Sequence, residues 1–337
     1  MEKVMKGKSF NNKSVLEIIL SIIIVVLVLV NTMYLPSLAV LFMCIFTIPI
    51  TAIYVLRGYK SILSILVIGA FLVSLNYMSL IPFFYAFSYG IVGISLGYCI
   101  KKKKKNSASI ITTAIFIAIS NISQFIVYSI FIYKKTISSS INDIVYGIKK
   151  SFTMTRDTYV ALNAPNEFID GLNEIIKLIT IQKLIVILPM IILANSIIQA
   201  YINYYFTSKV LQKLDCKVDN ITKFTRIYIP NLLVAFLIIA FCLGIIINSK
   251  GISIGNYISE VTGYILKFLI TLNGIAFFAY ILRNKLKLSK IISVIILLVG
   301  LIMPIFTDIY LVSGIMDVIL NLRELDPNPI RKIKKRE

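Results

Sequence analysis

The side chains whose spacing suggests chemistry are amides. Asn195, Gln199 and Asn203 recur at i, i+4 and i+8, so on a helix they form one polar stripe. An amide donates and accepts hydrogen bonds without carrying charge. Within an apolar helix such a stripe must face protein or a wet cavity rather than lipid. Its chemistry is therefore either helix–helix hydrogen bonding or the lining of a small-molecule site. Asn121 and Gln124, next to Ser120 and Ser123, make a second polar group, and Asn273 stands in a third apolar stretch. Asp317 lies in the last one. A charge at membrane depth is costly and marks a functional candidate. It faces a polar cavity that holds a cation or proton, or it reaches the surface beside Arg323. Asn121, Gln124, Asn195, Gln199, Asn203, Asn273 and Asp317 together form the candidate lining of a small-molecule site.

Other chemistries lack their residues. The chain has no histidine, which removes HExxH and most zinc sets. Cys44, Cys99, Cys216 and Cys242 form no CxxC pair, and no GxxxxGK[ST] is present. No two carboxylates are spaced for acid–base work. The expectation is a protein that is not an enzyme and uses neither a metal nor a cofactor.

The elements that position the amides are long apolar runs. The hydrophobic fraction is 58%, against about 45–50% for soluble domains. Runs of about 20 apolar residues match a hydrocarbon core roughly 30 Å thick. They predict spans near 15–33, 36–56, 61–76, 80–100, 108–133, 179–206, 229–248 and 257–282, with a last stretch over 291–322 broken by Pro304 and Asp308. The fold class is all-α: a polytopic transmembrane bundle of nine or ten membrane segments, read as a single membrane domain over 1–337. The lipid bilayer is its surrounding partner. In the fourth span, Gly93 and Gly97 form a GxxxG that permits close helix approach. The aromatic run Pro82–Tyr89 before it is an interfacial belt or the wall of an outer pocket.

The net charge of +20 sits mostly between the runs and at the ends. That pattern is one of orientation, not of nucleic-acid binding. With the amino terminus in the cytoplasm of a cell-membrane protein, Arg57–Lys60, Lys101–Lys105, loop 207–228 and loop 283–290 all fall inside. The basic tail 323–337 is also expected inside, which favours a hairpin at Pro304–Asp308. Segment 134–178, with six basic and five acidic residues, falls outside. Within it, Pro165-Asn166 reads as a helix start. Phe168, Ile169, Leu172, Ile175, Ile176 and Ile179 then recur at helical spacing, which describes an amphipathic helix.

Four stretches carry a resemblance: Pro36 to Gly58, Gly90 to Tyr98 running into lysines, Leu188-Pro189 with Ala200 to Tyr204, and Gly314 to Asp317 with Leu322-Arg323. With these the chain resembles the YybS-like family, multi-pass membrane proteins of Gram-positive bacteria whose activity is not established. The amino-terminal half of that family is similar to the substrate-binding subunits of energy-coupling-factor transporters, which bind a vitamin or metal from outside and dock on an ATPase module. Two features depart from those subunits: Ile18–Val30 contains no alanine, and the spans are more numerous. The functional expectation is a small-molecule binding or transport role. The alternative is a non-transporting membrane protein that organises membrane-protein partners in envelope assembly or sporulation.

Overall fold

The computed structural model describes residues 22–31, 34–35, 39–219, 221 and 223–326. The amino-terminal lysines and the basic residues from Arg331 onward lie outside them. The described residues are helical, without strands: α1 (Ile22–Asn31), α2 (Ala39–Arg57), α3 (Tyr59–Tyr77), α4 (Ile81–Lys101), α5 (Asn106–Val127), α6 (Ile137–Ala161), α7 (Asn166–Leu178), α8 (Ile181–Lys213), α9 (Asn231–Ser249), α10 (Ile254–Tyr280), α11 (Lys290–Ile302) and α12 (Pro304–Leu320). Six helical stretches are long and apolar enough to cross a membrane: 59–77, 81–101, 106–132, 181–213, 231–249 and 254–285. α11 and α12 pass the same test only as a pair, bent by 110° at the break, which gives up to seven. The expected nine or ten segments also count α1, α2 and the two arms α11 and α12 separately. Within the described residues, the 22–31 part of the first expected span and the 45–57 part of α2 are apolar but shorter than a span.

Local chemistry sets the boundaries. Gly58, at φ +88°, makes the turn between α2 and α3 in a conformation open to glycine. Prolines without an N–H open α9 (Pro230 before it) and α12 (Pro304 at its first turn). The Ser289 side chain caps α11 by accepting from the Ile292 amide at 3.3 Å. α5 and α10 each end in a π turn, over Tyr128–Ile132 and Ile281–Lys285.

The chain packs as two compact units. Unit 1 comprises 1–137 with 195–221, and unit 2 comprises 138–194 with 222–337. The core of unit 1 gathers Val25, Phe46, Ile62, Tyr89, Ile117 and Ala200. A Cβ on Gly93 or Gly97 would collide with Ile50 or Tyr54, so these glycines set the approach of α2 to α4. Thr51 Oγ1 donates to the Gly93 carbonyl across that contact at 3.0 Å.

In unit 2, α9 and α10 run antiparallel: Gly244 meets Ser259, and Asn248 meets Gly255. α10 and α12 do the same, with Gly274 against Tyr310 and Gly314 against Ile270. One side of α9 exposes Leu232, Phe236, Ile239, Leu243 and Ile246, an apolar face of the kind a membrane helix turns to lipid. The segment expected as an extracytoplasmic loop holds two helices. α7 starts where Pro165-Asn166 predicts. α6 before it has no counterpart in the sequence reading.

Candidate functional site

The amide stripe of α8 is built on a single helix face in unit 1. Gln199 is 2% exposed and Asn203 is fully buried. Ala200, on the same side, belongs to the hydrophobic cluster of the unit. Four-residue steps advance the side-chain direction by about 40° per step at 3.6 residues per turn. The stripe therefore drifts around the helix. Asn195 falls at its margin and is half-buried, while Ser196 and Thr207 lie inside and are fully buried. Thr207 is a residue that sequence reasoning missed, although extending the period by one more step reaches it.

The buried polar atoms of this stripe have no hydrogen-bond partner among the described residues. Ser196 Oγ, both amide atoms of Gln199, both of Asn203, and Thr207 Oγ1 are buried and make no hydrogen bond among the described residues. A buried unsatisfied group costs about 1–3 kcal/mol. The neighbouring Tyr204 on α8 is paired: its hydroxyl lies 2.8 Å from Asn106 Oδ1, to which it donates, and 3.2 Å from the Asp219 carbonyl.

Gln124 lies elsewhere in unit 1. It lines a cleft of about 270 Å³ between α4 and α5, walled by Phe84, Tyr85, Phe116 and Tyr128. Gln124 Nε2 contacts Ser120 Oγ at 3.4 Å, and Ser120 donates to the Ser88 carbonyl at 3.2 Å. The hydroxyls of Tyr85 and Tyr128 are hydrogen-bonded to each other, the second placed by the π turn that ends α5. Phe84 and Tyr85 of that wall come from the Pro82–Tyr89 run, Phe116 and Tyr128 from α5 and its π turn. Asn121 is half-buried and is not among the lining residues.

Asn273 and Asp317 come together in unit 2. Asn273 Nδ2 donates to Asp317 Oδ2 at 3.0 Å and contacts the Gly314 carbonyl at 3.3 Å. Arg323 closes the cluster. Its Nε and Nη2 donate to Asp317 Oδ2 at 3.0 and 2.7 Å, Nη2 also donates to Asn273 Oδ1 at 2.8 Å, and Nη1 donates to the Thr225 carbonyl at 3.1 Å. Asp317 and Arg323 are 6% and 7% exposed. Within this cluster, Asp317 Oδ1 has no hydrogen-bond partner among the described residues. The sequence reading set Asp317 either at a polar cavity or at the surface beside Arg323, and the two side chains form an ion pair. The pair occurs in a buried setting, not at an open surface. Nearby, burial and the Asp326 carboxylate raise the pKa of the Tyr228 hydroxyl above its ordinary value, which places the chain after α12 beside the linker before α9.

Glu260 and Lys267, seven residues apart on α10, both line a shallow groove; Glu260 accepts from Asn256 Nδ2 at 3.0 Å. Among the described residues, no group of three His, Cys, Asp or Glu side chains is placed to hold a metal ion.

No curated protein and no solved structure matches the chain. A family model described as a predicted membrane protein (DUF2232) matches residues 22–318. That range includes six span-length helices, the α8 stripe and the Asn273–Asp317 contact, and the chain belongs to this family of predicted membrane proteins.

Proposed function

We propose that this integral membrane protein binds a small, neutral, polar solute at the α8 stripe and serves in its uptake or passage, without catalysis. The observation that carries the reading is the set of unpaired polar atoms on Ser196, Gln199, Asn203 and Thr207. A stripe meant only for helix–helix bonding finds its partners on the neighbouring helix. This one keeps donors and acceptors buried and unspent, an arrangement that a hydrogen-bonding solute or its water would complete. The four side chains carry no charge, which favours a neutral ligand over an ion. The resemblance of the amino-terminal half to substrate-binding subunits of energy-coupling-factor transporters points the same way.

The rival role, organising membrane partners, draws on unit 2, where the Asn273, Asp317 and Arg323 side chains satisfy one another across helices.

The test is access. Asn203→Cys in a chain freed of its four cysteines is treated with a small hydrophilic methanethiosulfonate. Modification, with Ser107→Cys as the exposed control, is the expected result. Protection by a member of a panel of water-soluble vitamins would then name the ligand class. A Cys at 203 that stays unmodified while 107 reacts would mean a dry stripe and would overturn the proposal.

A further inference from the structure

α7 (Asn166–Leu178) is separated from α8 by Ile179 and Thr180 alone. α8 is long and apolar enough to cross a membrane. Two linking residues span at most about 7 Å, so α7 ends close to the start of this span-length helix. None of its thirteen residues is buried. At 3.6 residues per turn, Phe168, Leu172 and Ile175 point within about 60° of one another. Phe168, Ile175 and Leu178 are 55%, 42% and 54% exposed. Glu167, Asp170, Asn173, Glu174 and Lys177 take the opposite side. α6 touches one end and one flank: Tyr159 packs on Phe168 with ring centroids 5.0 Å apart, and Arg156 Nη1 contacts Asn173 Oδ1 at 3.4 Å.

An apolar stripe that the described residues leave largely open apart from the Tyr159 contact, tethered within two residues of a span-length helix, has hydrocarbon within reach. We infer that α7 lies flat in the bilayer interface, with Phe168, Leu172 and Ile175 in the acyl region of the leaflet where α8 begins. The partner is lipid. The charges specify which kind. Interfacial helices that draw on anionic lipid carry Lys and Arg on the polar face. α7 carries three carboxylates against the single ammonium of Lys177. Its adhesion rests on apolar burial, and anionic headgroups oppose it. Because α6 is joined to α7 through Arg156 and Tyr159, the end of α6 is held close to the same surface.

The chain contains no tryptophan, so one introduced tryptophan reports its surroundings without background. Full-length Ile175→Trp and Glu174→Trp proteins are reconstituted in phosphatidylcholine vesicles with acyl chains brominated near the glycerol end. Bromolipid should quench the emission of Ile175→Trp severalfold more than that of Glu174→Trp, and aqueous acrylamide should do the reverse. Replacing part of the phosphatidylcholine with phosphatidylglycerol should leave the bromolipid quenching of Ile175→Trp unchanged or lower it. Quenching of Ile175→Trp by acrylamide would place the stripe in water, and shielding from both quenchers would place it under protein. Either result overturns the lipid contact. A rise in bromolipid quenching with phosphatidylglycerol overturns the charge argument. Phe168→Trp reads the same face if Ile175→Trp does not reconstitute as a monodisperse protein.

Discussion

Asn273 on α10 and Asp317 on α12 are 44 residues apart in the chain, and the amide of the first donates to the carboxylate of the second at 3.0 Å. Arg323, just beyond the end of α12, turns back and bonds to both. This contact ties the last helix of unit 2 to α10. Its energetics follow from burial: removing one member of a buried ion pair leaves the other charge uncompensated, at about 3–5 kcal/mol.

Arg323→Met and Asp317→Leu are each expected to lower the thermal unfolding temperature of the detergent-purified protein markedly. The double variant should be less destabilised than the sum of the two, because no lone charge is left buried. Strictly additive losses in a double-mutant cycle would show that the pair is not energetically coupled.

The α8 stripe should behave in the opposite way. Gln199→Leu and Asn203→Leu remove polar atoms that have no partner while roughly preserving side-chain volume. Stability should be unchanged or raised, as expected when unspent polar groups give way to apolar ones. Asn273→Leu, which deletes three observed hydrogen bonds, should be destabilising. If Asn203→Leu costs as much as Asn273→Leu in the same unfolding assay, Asn203 is bonded after all.

These two groups also mark how far the sequence could be read. Gln199 and Asn203 were legible because a four-residue period within an apolar run is a local pattern. The start of α7 at Pro165-Asn166 was legible for the same reason. Arg323 was counted with the charges of the tail, since nothing in its neighbours announces a partner on α10 or in the linker at Thr225. α6 escaped because Ile137–Ala161 is rich in Ser and Thr and weakly apolar, so it reads as loop. The segment count depended on stretches such as α11 and α12, whose helices are shorter than a bilayer is thick.

Glycines separate crowded from open positions. Gly93→Ile drives a side chain into Ile50 and is expected to cost about 1–3 kcal/mol or more, the range for overpacking. Gly147, inside α6, has open space around its would-be Cβ. Gly147→Ala should therefore stabilise by about 0.5–1 kcal/mol through helix propensity. Chemical unfolding of the two variants in one detergent tests both signs.

Orientation can be checked with two positions. Ser107 follows the five lysines 101–105 at the start of α5, and Ser139 stands in the first turn of α6. The charge pattern puts the first inside and the second outside. In a cysteine-free background, an impermeant thiol reagent on intact cells should label Ser139→Cys, and Ser107→Cys only after permeabilisation. Labelling of 107 without 139 reverses the topology.

The final prediction concerns the carboxyl end. The sequence places a break near Pro304–Asp308, and the helix pair 290–302 and 305–320 is bent there by 110°. α12 packs antiparallel to α10, with Gly314 against Ile270 and Gly274 against Tyr310. After Leu320 the backbone reverses: Asn321 adopts φ +47°, and its side chain accepts from the Leu325 and Asp326 amides at 2.9 and 3.1 Å. That reversal carries Arg323 to the Thr225 carbonyl and Asp326 toward Tyr228. Thr225 and Tyr228 belong to the stretch between α8 and α9, which follows Lys209, Lys213 and Lys217. The chain therefore leaves the last helix beside the segment that holds Lys223 and Arg226, and the side that retains that segment retains the tail. Arg331, Lys332, Lys334, Lys335 and Arg336 add their own resistance to translocation. A fluorescent protein that matures only in the cytoplasm, fused after Glu337, should be bright, and a reporter active only outside should be silent at the same position. The reverse pair of readings would require residues 321–337 to pass through the membrane and would break the link between Arg323 and the linker before α9. Arg323→Met in the bright fusion then separates the two causes. If the tail charges hold the end inside, the fusion stays bright; if the Arg323 contact is what retains it, brightness falls.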